Sequence, residues 1–310
     1  MNHICVVGSL NRDTSHLLAR LPMVGETVHG ISTSSSAGGK GCNQAVSAAR
    51  LGAKVAFIGK VGEDKAGDQL LTVLKEEQID TSHIDVDPKV HSGEATILIQ
   101  EDGKNAIIVT PGANMNIREE DIERAYSAID KADIVIAQFE IPIPAVTQAF
   151  VYAKQQGKVT VLNPAPAKVI PEELLRATDI LVPNESEMQI ITGVEPSSDD
   201  AIRQAADRLL GYGIRYVIVT LGEQGALICH ADGAAHVPAK RVTAVDTTAA
   251  GDSFIGALCS RLDLTQWQDV RHMEDIVRFA NSFSALVVQR KGAISSIPYA
   301  HELESLQEKL

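Results

Sequence analysis

The run Asp246–Asp252, which reads Asp-Thr-Thr-Ala-Ala-Gly-Asp, contains the residues of this sequence that are best suited to chemistry. Its small residues lead into an apolar stretch that predicts a helix ending near Leu262. The first N–H groups of a helix have no partners within it and lie at the positive end of its dipole, so they can bind an anion. Asp252 would repel such an anion, but it could also accept the proton of a hydroxyl group that attacks a phosphoryl group held by these amides. An ordinary helix start with an acidic first turn is the alternative.

A second glycine-rich run, Gly38–Gln44, opens another predicted helix. Its glycines would let a ligand approach the main chain, and Lys40 and Asn43 offer donors to hydroxyl oxygens. The spacing is not that of the G-x-x-x-x-G-K-[ST] phosphate loop. The same pattern also occurs where a helix packs closely against a sheet, so both interpretations stand.

Polar residues follow several predicted strands, at the edge where parallel sheets bind ligands. Asn11 and Asp13 could hydrogen-bond neighbouring hydroxyl groups, or they could simply mark a turn. Asn184 and Glu187 suit either a helix cap or a magnesium ion that keeps most of its waters. The other strand-end residues of this kind are Glu140 and Thr220–Gly225.

Short apolar runs alternate with helical patterns along most of the chain. Continuous apolar strands indicate a sheet that is covered on both faces. We therefore predict the α/β class, as a three-layer α/β/α sandwich with a mostly parallel central sheet. The predicted strands are His3–Gly8, Val55–Ile58, Ile134–Ala137, Val159–Leu162, Ile180–Val182 and Tyr216–Val219. Helices are predicted at 43–51, 66–77, 119–129, 144–156, 185–192, 200–210 and 273–288.

Two segments, 12–37 and 91–110, interrupt this alternation. Within the second, Glu94–Gln100 and Asn105–Val109 read as strands joined at Asp102-Gly103, a hairpin turn signal. We predict that the two segments form a small β-sheet that covers a site as a lid or pairs with another subunit. The expected organisation is a single α/β domain, 1–310, that dimerises through this lid.

Composition limits the possible partners and the location. The 310 residues are 45% hydrophobic and 22% charged, as in a soluble globular protein, and the net charge is −12. That charge argues against nucleic acid or an anionic membrane as a partner. The four cysteines are scattered, and neither a membrane-spanning run nor a signal peptide is visible, so we expect a cytoplasmic location.

The order and separation of these motifs resemble the ribokinase-like, or PfkB, family of ATP-dependent carbohydrate kinases along almost the whole chain. Its two signatures match Ala37–Ala45 and Asp246–Phe254. Further matches make the chain most similar to the family members that phosphorylate ribose. These matches are Gly25-Glu26-Thr27, Gly112-Ala113-Asn114, Leu162–Pro166, Val182–Glu185 and Arg290–Ala293.

The resemblance implies transfer of the γ-phosphoryl group of ATP to the primary hydroxyl of a pentose, with D-ribose first. The alternatives are 2-deoxyribose or another sugar and, less favoured, a regulator that binds sugar or nucleotide without catalysis. Asp252 would be the base, and the amides of Ala249, Ala250 and Gly251 would hold the transferring group. The implied sugar-binding residues are Asn11, Asp13, Gly39, Lys40, Asn43, Glu140 and Asp252. The implied ATP-binding residues are Asn184, Thr220, Gly222, Gly225, Gly251 and Asn281.

The resemblance also implies two cations. Glu187 belongs to the family's N-x-x-E motif and would hold Mg²⁺ through water. A potassium ion beside the anion hole would order the loop that contains the amides, partly through main-chain oxygens. The implied potassium-site residues are Asp246, Thr248, Val287, Arg290, Gly292 and Ser296.

Three residues depart from the family pattern. Arg12 and Glu94 stand where apolar residues are expected. We expect Arg12 to form a surface ion pair and the charge of Glu94 to face the sugar. Asn281 replaces a histidine near the nucleotide base. These departures leave the acceptor sugar open, although segments 12–37 and 91–110 contain no aromatic residue on which a nucleoside base could stack.

Overall fold

The computed structural model describes residues 1–102 and 104–303, which form a large and a small β-sheet. The strands are β1 His3–Val7, β2 Asn11–Leu18, β3 Gly30–Gly38, β4 Lys54–Gly62, β5 Asp80–Asp87, β6 Gly93–Gln100, β7 Asn105–Thr110, β8 Ile134–Ala137, β9 Val159–Leu162, β10 Ile180–Leu181, β11 Tyr216–Thr220, β12 Ala226–His230 and β13 Gly233–Val237. The helices are α1 Lys40–Arg50, α2 Lys65–Glu76, α3 Glu119–Arg124, α4 Tyr126–Lys131, α5 Ile143–Gln155, α6 Glu172–Arg176, α7 Glu185–Thr192, α8 Asp199–Leu210, α9 Ala250–Arg261 and α10 Val270–Val287.

The large sheet has nine strands in the order β13-β12-β11-β10-β9-β8-β1-β4-β5. Its strands run parallel from β11 to β5, and β12 and β13 add an antiparallel edge. Successive side chains of β1 belong to different cores, because side chains alternate across a strand: Ile4 and Val6 pack with α1, α2, α9 and α10, whereas Cys5 and Val7 pack with α3 to α8. The predicted three-layer α/β/α sandwich is confirmed. Among the residues described, no helix is both long and apolar enough to cross a membrane.

The small sheet is the predicted lid, with strand order β3-β2-β6-β7. Strand β2 pairs in parallel with β6, and the other two pairings are antiparallel. The two strands predicted within 91–110 are therefore confirmed as β6 and β7. Gly103, half of the predicted turn between them, lies outside the described residues.

Several elements differ from the predictions for identifiable reasons. The predicted helix 119–129 is divided into α3 and α4 at Ala125, whose N–H turns to the Ile122 carbonyl three residues back. Strand β5 was not predicted because it is an edge strand of mostly polar, half-exposed residues without an apolar run. The short antiparallel hairpin β12–β13 and the five-residue helix α6 were also not predicted from the sequence.

Helices α1 and α9 approach each other closely and bring their amino-terminal turns together. Ser47 Oγ on α1 donates to the Ser253 carbonyl on α9 at 3.0 Å. Gly256 lies against the same serine, and a Cβ at this position would overlap the Ser47 side chain. Because Asn43 and Gln44 lie one turn before Ser47, this approach also fixes their distance from Asp252.

We predict that Gly256→Ala destabilises the protein. Alanine favours a helix over glycine by about 1 kcal/mol, but overpacking a tight contact costs about 1–3 kcal/mol. Urea unfolding should show a lower midpoint than wild type. Gly211→Ala is the matched control, since Gly211 has an α-helical backbone and no atom lies closer than 3.3 Å to its would-be Cβ. A stabilised Gly256→Ala variant would contradict the close α1–α9 contact.

Candidate active site

Asp252, in the first turn of α9, is buried with 8% of its surface exposed. Its two carboxylate oxygens are held by adjacent residues of α1. Asn43 Nδ2 donates to Oδ2 at 2.9 Å, and Gln44 Nε2 donates to Oδ1 at 3.0 Å. Burial raises the pKa of Asp252, whereas the Lys40 charge and the two amide hydrogen bonds oppose that rise. The result is a fixed carboxylate with a raised pKa, which suits a general base.

Lys40 and Glu140 lie close to this carboxylate. Glu140 Oε2 accepts hydrogen bonds from Ser9 Oγ at 2.5 Å and from the Lys40 main-chain N–H at 3.0 Å. Burial lowers the pKa of the Lys40 ammonium, but the carboxylates of Asp252, Glu140 and Glu187 outweigh it, and the net shift is upward. One cation therefore faces several acidic groups in the same region.

Asp13 is a further acidic side chain of this region, and it lies on β2 of the lid. Burial, followed by the charges of Glu140 and Asp252, raises the pKa of Asp13 to about 7. Its carboxylate packs on the main chain of Gly38, where any Cβ would overlap it. The lid and the two signature segments thus meet at one cluster of carboxylates.

Gly39 and Asn11 join the start of α1 to the first strands. Gly39 has φ 90°, a left-handed conformation that favours glycine, and a Cβ there would lie 2.9 Å from the Asn11 nitrogen. Asn11 is buried, and its Oδ1 accepts a hydrogen bond from Asn114 Nδ2 at 2.8 Å. Four of the residues predicted to bind the sugar, Asn11, Gly39, Lys40 and Asn43, therefore lie where the start of β2 meets the start of α1.

The turn before α9 places main-chain amides beside Asp252. Ala249 adopts φ 60°, which is strained for alanine by roughly 1–3 kcal/mol. The Ala250 N–H donates to the Thr247 carbonyl at 3.2 Å, so this donor would have to share or leave that bond to reach a phosphoryl oxygen. Gly251 is exposed, and its would-be Cβ has no atom within 4 Å, so a ligand can approach it closely.

Two cavities meet at this turn. The larger, of about 420 Å³, is lined by five of the six predicted nucleotide-binding residues, Thr220, Gly222, Gly225, Gly251 and Asn281. The smaller, of about 210 Å³, is lined by the remaining predicted nucleotide-binding residue, Asn184, and by Lys40, Glu187, Ala249 and Asp252. The two share Thr220, Thr247, Ala250 and Gly251, so the first turn of α9 lies between a nucleotide-sized space and the carboxylate.

Asn184 and Glu187 form the helix cap that the sequence left as one of two possibilities. Asn184 Oδ1 accepts from the Glu187 N–H, and Glu187 Oε2 accepts from the Asn184 N–H, each at 2.8 Å. Burial raises the pKa of Glu187, which also lines the smaller cavity. The cap is compatible with the magnesium role, because Glu187 and Asp252 line the same cavity.

Asp246 ties together the two segments predicted to form the potassium site. Its Oδ1 accepts from the Thr248 N–H at 2.9 Å and from Thr248 Oγ1 at 2.6 Å, and its Oδ2 accepts from the Gly292 N–H at 2.9 Å. The Val288 carbonyl, next to Val287, accepts from the Asp246 N–H at 3.1 Å.

Two other residues predicted for the potassium site have partners of their own. The Arg290 guanidinium is directed to Glu302, and buried Ser296 donates to the Ala293 carbonyl. Among the residues described, no group of three or more His, Cys, Asp or Glu side chains could hold a metal ion.

The prediction that Glu94 faces the sugar is wrong. Arg12 and Glu94 are cross-strand partners on β2 and β6, and their side chains form an ion pair at 2.6 Å. Because side chains alternate along β2, Arg12 points away from the face that carries Asp13, and it lines a cavity with Asp68 and Gln69 of α2. The predicted ion pair of Arg12 is thus confirmed, with Glu94 as its partner.

Some residues of the site were missed as functional candidates. Gln44 contacts Asp252, Ser9 contacts Glu140, and Asn114 holds Asn11 and the main chain of Leu10. Gln44 and Asn114 both stand inside motifs that matched the family, which was the available signal. Asn281 was assigned to the nucleotide, and it also anchors β13, since its Nδ2 donates to the Val237 carbonyl at 2.9 Å.

Comparison with known proteins identifies the family. A model described as pfkB family carbohydrate kinase matches residues 1–300. The chain is 42% identical over 307 residues to a ribokinase of Staphylococcus aureus (strain COL), and the match covers 98% of this chain and 99% of that protein. It is 38% identical over 296 residues to a deoxyribokinase of Salmonella typhi, with 95% of each covered. A solved Arabidopsis thaliana ribokinase complexed with ribose and ATP matches with a TM-score of 0.88 and 32% identity, covering 98% of both chains. The chain therefore belongs to the pfkB family of carbohydrate kinases.

Proposed function

We propose that this kinase transfers the γ-phosphoryl group of ATP to the primary hydroxyl of D-ribose. The observation that carries the proposal is the position of Asp252, a buried carboxylate fixed by two amides in a cavity that opens onto a nucleotide-sized space. The similarity to ribokinases supports ribose as the acceptor. The similarity to a deoxyribokinase makes 2-deoxyribose the second candidate.

In the proposed reaction, Asp252 accepts the proton of the primary hydroxyl while the hydroxyl oxygen bonds to the γ-phosphorus. The bond from the γ-phosphorus to the bridging oxygen of ADP breaks, and ADP leaves. The amides of Ala249, Ala250 and Gly251 would stabilise the charge on the transferring group. Catalysis then depends on position and electrostatics rather than on a covalent intermediate.

The sugar would lie between the lid and the start of α1. Asp13, Glu140 and Asn11 offer acceptors to its hydroxyl groups, and Lys40, Asn43 and the main chain at Gly39 offer donors. Asp13 lies on the lid, whereas Asn43 lies on the body. A bound sugar would therefore connect both parts, and the lid could exclude water during transfer.

The nucleotide would occupy the larger cavity, with Thr220, Gly222, Gly225 and Asn281 around it and Asn184 and Gly251 toward its phosphates. Glu187 fits a magnesium ion held through water, since its carboxylate lines the smaller cavity that the phosphates would enter. When bound, Mg²⁺ would neutralise phosphate charge. Lys40 would supply a further positive charge on the sugar side.

The segments joined by Asp246 fit a potassium site. An ionised carboxylate is present there, since hydrogen bonds from Thr248 and Gly292 hold the pKa of Asp246 below its ordinary value against the effect of burial. Together with the neighbouring main-chain oxygens, it provides the hard oxygen donors that such a cation requires. The proposed donors come from Asp246, Thr248, Val287, Arg290, Gly292 and Ser296. The ion would order the turn that leads to Ala249.

The lid is the proposed dimer interface. Strand β7 lies at the edge of the small sheet and exposes three consecutive apolar side chains, Ile107, Ile108 and Val109, each at least half accessible. An edge strand of this kind is a surface for pairing with another copy. Pairing of two lids would cover it.

We also propose that residues 1–310 act as one kinase domain, since lid residue Asp13 and body residues Glu140 and Asp252 share one charged cluster. A cytoplasmic location is consistent with the cysteines, all four of which are free and buried. Neither proposal changes the assignment of the site.

The function is tested by measuring ADP release with ATP and a panel of ribose, 2-deoxyribose, fructose and a nucleoside. We expect the highest kcat/KM with ribose. Asp252→Asn should lower kcat by at least about 10²–10⁴-fold while ribose still binds, because it removes the general base. Binding of sugars without turnover of any of them would favour a regulator, and near-normal turnover by Asp252→Asn would remove the assigned base.

Asp13 should give the reaction a pH dependence near neutrality. Because the pKa of Asp13 is raised to about 7, the side chain is neutral below that pH and becomes a stronger acceptor above it. We expect kcat/KM for ribose, which reports groups of the free enzyme, to rise as the pH increases through about 7. Asp13→Asn should lower kcat/KM and remove the part of the rise that titrates Asp13, while the limb that belongs to Asp252 remains. The unfolding midpoint over the same pH range is the control, and an unchanged limb in the variant would place the titrating group elsewhere.

Potassium should accelerate the reaction when it replaces tetramethylammonium at constant ionic strength, and Asp246→Asn should abolish this activation. Asp263→Asn is the matched control, because Asp263 makes the same bonds to the N–H and Oγ1 of Thr265 but lies after the far end of α9. If the wild-type rate is the same with and without potassium, the proposed potassium site is wrong. Equal loss of potassium activation in both variants would mean that it follows from removing any Asp–Thr turn hydrogen bond and not from losing a potassium ligand.

A further inference from the structure

Three buried amide side chains, Gln138, Gln44 and Asn163, form a continuous hydrogen-bonded series that we call the amide relay. Gln138 Nε2 donates to Gln44 Oε1 at 2.6 Å. Gln44 Nε2 donates in turn to Asp252 Oδ1 at 3.0 Å and to Asn163 Oδ1 at 3.2 Å. Asn163 Nδ2 donates to the Val182 carbonyl at 2.9 Å. The relay therefore connects the ends of β8, β9 and β10 to the carboxylate on α9.

The relay has a defined direction. An amide has one donor end and one acceptor end, so the donor from Gln138 occupies the oxygen of Gln44 and turns the Gln44 NH₂ group toward Asp252. With the Gln44 amide reversed, two oxygens would face each other at Asp252 and two donors would face each other at Gln138. The donor of Gln138 and the acceptors of Asp252 and Asn163 thus favour the same orientation of the Gln44 amide.

The orientation of Gln138 leaves one of its own groups without a partner. Within the described part of the chain, no hydrogen-bond donor reaches its buried Oε1. That oxygen lies against the main chain of Gly8, where a Cβ would overlap it, so only glycine leaves it room. A buried acceptor without a donor is unfavourable. Gln138 nevertheless keeps this orientation, in which its NH₂ group donates to Gln44 and its oxygen has no partner among the described residues.

From this arrangement we propose that Gln44 is a positioning residue for Asp252 and that Gln138 acts through it by fixing the orientation of the Gln44 amide. The inference rests on the proposed function, since it takes Asp252 as the base. Asn43 and Gln44 each hold one oxygen of the carboxylate, so together they fix its plane. The base can then present the same lone pair to the sugar hydroxyl in every turnover.

The relay also favours the ionised form of the base. Burial raises the pKa of Asp252, and the hydrogen bonds from Asn43 and Gln44 partly offset this effect. Removing the Gln44 donor should therefore move the acidic limb of the kcat profile to higher pH. A hydrogen bond to a charged group changes a pKa by about one unit, which corresponds to a tenfold change in the ionised fraction below the limb.

Gln44→Met and Gln138→Met test the proposal, since methionine retains most of the side-chain volume without the amide. Ser47→Ala is the matched control. Ser47 is equally buried on α1 and bonds the main chain of α9, but it does not touch Asp252. For each variant, the measurements are the unfolding midpoint, KM for ribose, and kcat from pH 5 to 9. Wild type and Asp252→Asn are measured alongside.

We expect Gln44→Met to shift the acidic limb of kcat upward by about one pH unit, and Gln138→Met to shift it in the same direction by less. KM for ribose should change less than kcat in both variants. Ser47→Ala should leave the limb where wild type has it, because a purely structural effect lowers stability without changing the titration of Asp252.

Two results separate failure of this inference from failure of the proposed function. If wild type is active and Asp252→Asn is not, but both methionine variants keep the wild-type limb, the relay does not position the base. If wild type turns over no sugar, the proposed function fails first. A shift of the limb in Ser47→Ala equal to that in Gln44→Met would assign the effect to helix packing and overturn the relay.

Discussion

The buried carboxylate of Asp252 imposes the constraint on which the rest of the site depends. An ionised carboxylate is strongly destabilised away from water unless hydrogen bonds and a nearby cation compensate. Here the compensation comes from Asn43 and Gln44 of α1 and from the Lys40 charge. All three belong to one glycine-rich segment, so the two signature segments form a single electrostatic unit although they lie about two hundred residues apart in sequence.

That unit requires α1 and α9 to begin at the same place. Gly39 lets the chain enter α1 with a left-handed conformation, and Gly256 lets the two helices approach at Ser47. The parallel sheet contributes the remaining groups, because the carboxyl ends of its strands share one edge. Glu140, Asn163 and Asn184 follow the consecutive strands β8, β9 and β10 in turn, and Asn163 and Asn184 line the smaller cavity with Asp252. The lid adds Asp13 from outside the main sheet.

The sequence predicted the layers and most helices and strands because strand and helix periodicity report burial directly. It could not predict β5, which is polar and lies at an edge, or the division at Ala125, which depends on a single three-residue hydrogen bond. The family motifs predicted which residues gather around Asp252. They could not predict the roles of Gln44 and Gln138, since these follow from the direction of hydrogen bonds between three separate strand ends and a helix. The orientation of Glu94 was mistaken because it depends on the register between β2 and β6, which no local pattern encodes.

The role of Asp252 as the base is tested most directly by a crystal structure with ribose and a non-hydrolysable ATP analogue. We expect a carboxylate oxygen of Asp252 to lie about 2.6–3.2 Å from the primary hydroxyl of ribose, and the γ-phosphate to face the main-chain amides at the start of α9. A sugar that turns its primary hydroxyl away from Asp252, or a γ-phosphate bound away from that turn, would contradict it.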